Sequence, residues 1–262
     1  MANYCNIFKN EVIPENINAA EASVEYITYL SRKSNIPVFV LIDEYDNFAN
    51  DLITGGRQST YNSILHGEGF VKVFYKAIKD ATMDNFSRIF MTGVSPIMLD
   101  DLTSGFNITM NYTLDRNLNA MLGFTRDELS WIMAEMSIQD TEIRKKMCKD
   151  MTEYYNGYKF SANSKSVFNP DMTMYFLNKY LDYNEYPEEM IDNNVKTDYG
   201  KVNQLAYNFN DREALNEIMS TGETSTILVD RFNINTMYSE KENFKSLLFY
   251  LGMLTIKEKE KY

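Results

Sequence analysis

The chain is poor in several residue types, and each shortage excludes a class of protein. Its two cysteines, Cys5 and Cys148, are too few for a disulfide framework and lack the CxxC spacing of zinc sites. Its single histidine, His66, has no second ligand beside it, so we assign it to a turn rather than to a metal site. No apolar run approaches the roughly eighteen residues of a membrane span. The N-terminal segment also lacks the apolar stretch that forms the core of a signal peptide. We therefore expect a soluble, cytoplasmic protein.

Positive charge is also scarce. The 26 Lys and Arg residues stand against 37 Asp and Glu, which gives a formal net charge of −11. Such a surface has no general attraction for phosphate backbones or anionic lipid. The basic cluster at 144–149 lies on a predicted helix and is interpreted as a solvated face. The sequence thus gives no direct indication of nucleic-acid binding and predicts no membrane partner.

What the chain does have is an apolar run that stops on acids, in the stretch NIPVFVLIDEYDNF at 35–48. Residues 38–42 are apolar without alternation, which predicts a strand buried on both faces of a parallel sheet. Asp43 and Glu44 follow at once, at the sheet edge where α/β proteins bind ligands. This is the Walker B pattern, in which the Asp holds the Mg²⁺ shell and the Glu orients the attacking water. The alternative is a core strand leaving into a loop with solvated carboxylates, because short acidic motifs recur by chance.

A strand–helix–strand unit is predicted around this motif. Helices are expected at 19–34 and 70–81, where apolar residues recur at helical spacing. A second apolar strand at 88–92 should lie parallel to the first. Thr92 and Ser95 would then emerge beside the two carboxylates, at the position where an ATPase sensor touches the γ-phosphate or its water. Alternatively, or in addition, they cap a helix that begins at Pro96. The apolar stripe of the first helix is Ala20, Val24, Ile27 and Leu30.

The remaining segments complete the predicted fold. The alternation at 107–114 predicts a third strand at an edge or half-exposed position. The Gly-rich stretch at 55–60 lacks the Lys and the spacing of GxxxxGK[ST], so we interpret it as a loop. From residue 123 the chain is predicted to be mainly helical, beginning with a capping box of Thr125 and Glu128. A later helix with its stripe at Ile143, Met147, Met151 and Tyr154 should stop at Asn156-Gly157, and 246–256 should form a short helix, a turn at Gly252 and the start of a strand.

A series of short motifs runs in order along nearly the whole chain. They are LIDEYD at 41–46, MTGVSPI at 91–97, LTSGFNI at 102–108, GFT at 123–125, YNGYKF at 155–160, NP at 169–170 and LLFYLGMLT at 247–255. Together they resemble the AAA-ATPase-like family of predicted prokaryotic ATPases. Members of that family typically begin with a P-loop strand ending in GKS, and many continue into a PD-(D/E)XK nuclease-like domain. The resemblance implies an α/β fold, the ASCE-type P-loop NTPase, that uses ATP and Mg²⁺.

The resemblance also implies roles for individual residues. Asp43 becomes the metal-associated and cofactor-binding carboxylate, and Glu44 becomes the catalytic carboxylate beside the cofactor. Thr92 or Ser95 becomes the sensor, the third catalytic group.

The sequence departs from the family pattern in that it contains no GxxxxGK[ST] and no PD-(D/E)XK set. We therefore expect a fragment. Residues 1–122 would form a partial ATPase core whose parallel sheet lacks its first strand. Residues 123–262 would form a mainly helical C-terminal domain leading toward an absent nuclease-like domain. Such a chain would contribute the Mg²⁺- and water-activating half of an ATP-hydrolysis site, and it would bind no cofactor tightly unless a P-loop were supplied.

Two other function classes are compatible with acids at the end of a parallel strand. An aspartyl phosphotransfer domain is disfavoured, because Asp43 and Asp46 do not form the Asp-x-Asp of dehalogenases and no Lys follows a later strand as in receivers. A non-catalytic protein-interaction module derived from the ATPase fold is the stronger alternative. In ASCE ATPases the P-loop strand pairs with the sensor strand, so its absence would leave 89–91 as an unpaired edge and favour self-association.

Overall fold

The computed structural model describes residues 20–47, 69–96, 106–192, 207, 211–232 and 240–258. The described residues fall into two compact units, with the chain divided at 109/110, 202/203 and 247/248. The first unit contains the predicted site. His66, the Gly-rich stretch at 55–60 and the motif at 102–105 lie outside the described residues. Among the described residues, none of the helices combines the length and the apolar character that a membrane crossing needs. The division of the chain at residue 122 stays a prediction.

The first unit contains the predicted strand–helix–strand core. Helix α1 (Ala20–Ser34) leads to strand β1 (Val38–Ile42), and helix α2 (Phe70–Ala81) precedes strand β2 (Phe86–Met91). Helix α1 carries an acid in its first turn and two basic residues in its last, which suits the helix dipole. It ends where Asn35 takes a left-handed φ of 53°. Helices α1 and α2 contact each other.

The two strands form a parallel ladder, as predicted. Val40 lies beside Ile89 and Ile42 beside Met91, with one irregularity in register after Val38. Because both strands run in the same direction, their carboxyl ends meet at one edge of the sheet. The mixed α/β character of the fold is therefore confirmed.

The expectation that β1 is buried on both faces is wrong. Phe39 and Leu41 are 64% and 78% exposed, whereas Val38, Val40 and Ile42 are half-buried. Successive side chains of a strand point to opposite faces, so this pattern means that one face of β1 is covered and the other is open to solvent.

The predicted third strand at 107–114 is also absent, since this segment consists of turns and irregular backbone. The side chain of Asn111 explains the difference. Its Oδ1 accepts hydrogen bonds from the backbone N–H of Thr113 at 3.0 Å and from the Thr113 hydroxyl at 2.7 Å. Such local side-chain bonds compete with the bonds of a sheet ladder.

The second unit contains helices and a short hairpin. Helix α3 (Arg126–Glu135) begins at the predicted capping box, and helix α4 (Thr141–Tyr155) passes directly into strand β3 (Asn156–Tyr158). Strand β4 (Val167–Phe168) pairs with β3 in the antiparallel sense. Helix α5 (Pro170–Tyr183) then starts with Asn169 as N-cap, whose Oδ1 accepts from the N–H of Met172 at 3.0 Å. The core of this unit includes Leu129, Met133, Met147, Met151, Phe168 and Phe176.

Two further helices follow. Helix α6 (Arg212–Thr221) ends at Gly222 with φ 74°, and helix α7 (Lys241–Tyr250) is followed by a turn at Gly252 with φ 76°. The turn at Gly252 confirms the sequence prediction. The strand expected after it is not formed, because residues 254–258 have no regular structure.

Candidate functional site

The candidate site lies at the carboxyl ends of β1 and β2, where Asp43 and Thr92 directly follow their strands. The N–H of Thr92 donates to the carbonyl of Ile42 at 2.8 Å, and the N–H of Tyr45 donates to the carbonyl of Thr92 at 3.0 Å. The two connections therefore stay side by side beyond the last paired residues. The hydroxyl of Thr92 donates to Oδ1 of Asp43. The structure thus brings these two predicted site residues into direct contact.

Glu44 occupies an unusual backbone conformation for a residue with a side chain. Its φ is 51°, in the left-handed region, which costs a non-glycine residue roughly 1–2 kcal/mol. Its N–H donates to Oδ1 of Asp43 at 3.0 Å, and its Oε2 accepts from Nδ2 of Asn47 at 3.0 Å. Asp43 and Glu44 are both exposed. The sharp turn at Glu44 therefore presents two adjacent carboxylates to solvent at the edge of the sheet.

Asp46, a residue to which the sequence assigned no role, is completely buried beside this exposed pair. Its Oδ1 accepts from the N–H of Val94 at 3.0 Å. Its Oδ2 accepts from both the N–H and the hydroxyl of Ser95, each at 2.8 Å. A buried carboxylate is stable only when such donors replace water. The clue in the sequence was the third acid of Asp-Glu-Tyr-Asp, followed on the next strand by a Gly-x-Ser turn that offers donors.

Ser95 lies on the buried side of the site, unlike Thr92. It is 2% exposed, and its hydroxyl is the donor to Asp46. Its carbonyl accepts from the hydroxyl of Tyr45 at 2.7 Å. Thr92, by contrast, is half-buried and contacts the exposed Asp43. The structure therefore does not bring Ser95 to the exposed carboxylates, and the helix expected from Pro96 lies outside the described residues.

Gly93 lies between Thr92 and the residues that donate to Asp46, and no larger residue fits at this position. A Cβ on Gly93 would lie 2.5 Å from Oδ1 of Asp46 and 2.5 Å from Cε1 of Tyr45. Real Cβ atoms do not approach other heavy atoms so closely. The glycine is thus required by the close approach of the two loops.

The charge of the buried Asp46 acts on Tyr75 of helix α2. Tyr75 of α2 is 4% exposed, and its ring centroid lies 5.0 Å from that of Phe106. Burial, and to a smaller extent the negative charge of Asp46, together raise the pKa of Tyr75 to about 12. The three hydrogen bonds to the Asp46 carboxylate lie out of contact with water, because Asp46 is 0% exposed, and this makes them stronger.

The exposed carboxylates fit a magnesium ion bound together with a nucleotide. No group of three His, Cys, Asp or Glu residues in the described parts of the chain could hold a metal on its own. Mg²⁺, however, is commonly held by one or two carboxylates together with substrate phosphates and water. Oδ1 of Asp43 accepts from Thr92 and from the N–H of Glu44, and Oδ2 accepts no hydrogen bond from the described residues. One oxygen is therefore free for a hard cation while the other fixes the carboxylate.

Comparison with known proteins bears directly on this site. No curated protein and no solved structure matches the chain. Residues 2–103 match the model of the AAA-ATPase-like family, which is described as a predicted AAA-ATPase. This range includes Asp43, Glu44, Thr92 and Ser95, together with β1 and β2. The resemblance predicted from the motifs is therefore confirmed over residues 2–103, which are similar to a predicted AAA-ATPase, whereas for the motifs from residue 123 onward it stays a prediction.

Proposed function

We propose that Asp43, Glu44 and Thr92 form the Mg²⁺- and water-activating half of an ATP-hydrolysis site. One observation carries this proposal. Asp43 and Thr92 are hydrogen-bonded at the carboxyl ends of two adjacent parallel strands, with Glu44 exposed directly beside them. The family match over residues 2–103 supports the same assignment.

Each of these residues has a chemical task that its position suits. Mg²⁺ supplies charge neutralisation on the phosphates when ATP is bound. Asp43 would bind the ion or its water shell through Oδ2, while the Thr92 hydroxyl holds Oδ1 in place. Glu44 would orient the attacking water, because its carboxylate is exposed and steadied by Asn47. The left-handed backbone at Glu44 keeps the two acids adjacent without burying either.

The phosphate-binding half of the site must come from elsewhere, because the 262 residues of the chain contain no GxxxxGK[ST]. Backbone amides and the Lys of that loop provide most of the phosphate affinity in such folds. Carboxylates without them repel a polyanion. We therefore predict that the 262-residue chain alone neither binds nor hydrolyses ATP appreciably. Calorimetric titration checks this, and micromolar ATP affinity of the purified chain would contradict it.

The assignment of roles is tested in a protein that carries a strand–GxxxxGK[ST]–helix segment of the family fused ahead of residue 1. Glu44→Gln should lower kcat by roughly 10²-fold or more while ATP remains bound, because it removes the group that orients water. Asp43→Ala should also weaken Mg²⁺-dependent ATP binding. Glu25→Gln, an exposed acid on α1, is the matched control and should leave both quantities unchanged. Near-parental hydrolysis by both site variants would show that the Walker B assignment is wrong.

A second candidate function, a non-catalytic interaction module, is favoured by the open face of the sheet. Phe39, Leu41 and Phe90 are 64%, 78% and 46% exposed, and the parallel register places Leu41 beside Phe90. Apolar surface of this kind favours contact with a partner or with a second copy. Concentration-dependent self-association by the chain, with no ATP binding even after the P-loop segment is supplied, would support this second function over the first.

A further inference from the structure

We propose that Asp46 is a positioning residue, which fixes the loop after β2 so that the Thr92 hydroxyl meets Asp43, and that Ser95 belongs to this clamp. The clamp consists of Asp46, Tyr45, Gly93, Val94 and Ser95. Its catalytic consequence rests on the function proposed above, whereas its effect on the position of Thr92 does not. The sequence left Thr92 and Ser95 as equal candidates for the sensor. With Ser95 in the clamp, the sensor role falls to Thr92 alone.

The hydrogen bonds of the clamp connect two segments that are far apart in sequence. Asp46 accepts from the N–H of Val94 at 3.0 Å and from the N–H and hydroxyl of Ser95 at 2.8 Å. Tyr45 adds its N–H to the Thr92 carbonyl at 3.0 Å and its hydroxyl to the Ser95 carbonyl at 2.7 Å. The backbone on both sides of Gly93 is therefore held from the loop after β1. Thr92 is the first residue of the segment so held.

The residues of this cluster differ in burial, and burial decides which of them can contact a ligand. Asp46 is 0% exposed and Ser95 is 2% exposed, so neither side chain can touch a nucleotide or its water in this arrangement. Asp43 and Glu44 are exposed, and Thr92 is half-buried between the two groups. A change at Asp46 can therefore reach the reacting atoms only indirectly, by moving the loop that contains Thr92 or its own turn, which contains Glu44.

The close approach at Gly93 leaves the loop after β2 little freedom to move relative to Asp46 and Tyr45. There is no room for a Cβ between Asp46 and Tyr45, so the loop cannot shift toward β1 without a clash. It cannot shift away without breaking charge-assisted hydrogen bonds inside a buried site. Because the loop after β2 is held in both directions, a displacement of Asp46 also displaces Thr92. A misplacement of about 1 Å can cost on the order of 10²-fold in rate.

The first arm of the test uses the full 262-residue chain and requires no activity. In amide hydrogen exchange followed by NMR, Asp46→Asn should accelerate exchange at Val94 and Ser95 roughly tenfold or more, because its NH₂ group would face other donors. It should also shift the resonances of Thr92. Ile78→Val, a core change in α2 at a residue 1% exposed, is the matched control and should leave Thr92 unmoved.

The second arm uses the protein that carries the P-loop segment. Asp46→Asn should lower kcat roughly 10²-fold with KM for ATP nearly unchanged, because binding groups are kept while the geometry is lost. Ser95→Ala should fold even if Asp46→Asn does not, since two backbone donors to Asp46 remain. It should give a smaller loss of kcat in the same direction. Ile78→Val should keep the parental kcat.

The two arms distinguish failure of this inference from failure of the proposed function. If Asp46→Asn or Ser95→Ala leaves the Thr92 resonances and the parental kcat unchanged, the positioning role is refuted while the ATPase assignment stands. If the protein with the P-loop segment does not hydrolyse ATP at all, the proposed function fails. The exchange and resonance data then decide by themselves whether Asp46 positions Thr92.

Discussion

Replacing Gly93 by alanine should disrupt the site through contact alone. The new Cβ would lie 2.5 Å from Oδ1 of Asp46, 2.5 Å from Cε1 of Tyr45 and 2.7 Å from Cδ1 of the same ring. Ordinary van der Waals contact begins near 3.4 Å. The neighbours must therefore move by about an ångström, and both are held by hydrogen bonds.

The cost follows from what has to move. Inserting an extra carbon into a well-packed site costs about 1–3 kcal/mol. Displacing Asp46 from its donors adds to this, because weakened hydrogen bonds to a buried charge cost roughly 1.5–3 kcal/mol. The two costs together span about 2.5–6 kcal/mol, and because the hydrogen bonds are weakened rather than lost we expect a value near the lower end, at about 3 kcal/mol.

Two other glycines are matched controls. Gly157 has no heavy atom within 4 Å of a built Cβ and no positive φ, so Gly157→Ala should change stability by less than about 1 kcal/mol. Gly222 also has open space but a φ of +74°, so Gly222→Ala should cost about 1 kcal/mol through backbone strain alone. The three substitutions add the same methyl group, and only their surroundings differ.

Native-state hydrogen exchange measured by mass spectrometry suits this series, because it gives the free energy of opening for each segment of a chain with two compact units. Peptides from β2 through the following loop report on Gly93, and peptides from β3 and β4 report on Gly157. If Gly93→Ala costs no more than Gly222→Ala, the tight contact among Gly93, Asp46 and Tyr45 is refuted.

Three further outcomes follow from single residues. Thr173 is 0% exposed and its hydroxyl has no hydrogen-bond partner in the parts of the chain that the structure describes, so Thr173→Val should stabilise the chain by about 1 kcal/mol in urea unfolding, and a clear loss would contradict this. Tyr75 has its pKa raised to about 12 in the folded chain, whereas the phenol of the unfolded chain titrates near 10. Its contribution to the slope of stability against pH therefore begins near pH 10 and amounts to a loss of up to about 3 kcal/mol by pH 12. Tyr75→Phe should reduce that slope, and an unchanged slope would refute the assignment. Leu41→Gln, at a side chain 78% exposed, should cost less than about 0.5 kcal/mol and should reduce any self-association seen by sedimentation, so a large destabilisation would mean that this face is covered.

The sequence predicted β1 and the start of α3 from local signals, although the equally local alternation at 107–114 predicted a strand that is not formed. The apolar run of β1 and the capping box at Thr125 depend only on neighbouring residues, and both were found. Which face of a helix is buried depends on its partner. In α1 the buried residues are Val24, Thr28 and Ser31, whereas Ile27 of the predicted stripe is 44% exposed. The Thr28 hydroxyl donates to the carbonyl of Val24 at 2.8 Å, which lets a polar residue occupy the buried face.

The same limit applies to α4, whose buried face is shifted from the predicted stripe. Met147 and Met151 are buried as expected, but Tyr155 is buried in place of Tyr154, which is 54% exposed, and Ile143 is 41% exposed. The hydroxyl of Tyr155 donates to the carbonyl of Met190. A contact with a residue so far along the chain cannot be seen in the spacing of apolar residues within one helix.

Of the two contacts in the candidate site, the sequence could predict one and not the other. The meeting of Asp43 and Thr92 could be predicted, because any two parallel neighbours deliver their ends to one sheet edge. For the meeting of Asp46 and Ser95 the sequence offered only the clue of a third acid and a turn with donors. The contact itself involves a left-handed turn at Glu44, a conformation that the sequence does not indicate for glutamate.

Three acids stand within four residues, and their surroundings give them different chemistry. Asp43 and Glu44 keep contact with water and so remain free to meet a cation or a nucleophile. Asp46 is surrounded by protein, with its oxygens taken by Val94 and Ser95. Because a buried charge without donors would cost several kcal/mol, the loop after β2 must arrive in the one arrangement that supplies them. In the positioning role proposed for Asp46, that requirement is what brings Thr92 to Asp43, the carboxylate proposed to bind Mg²⁺.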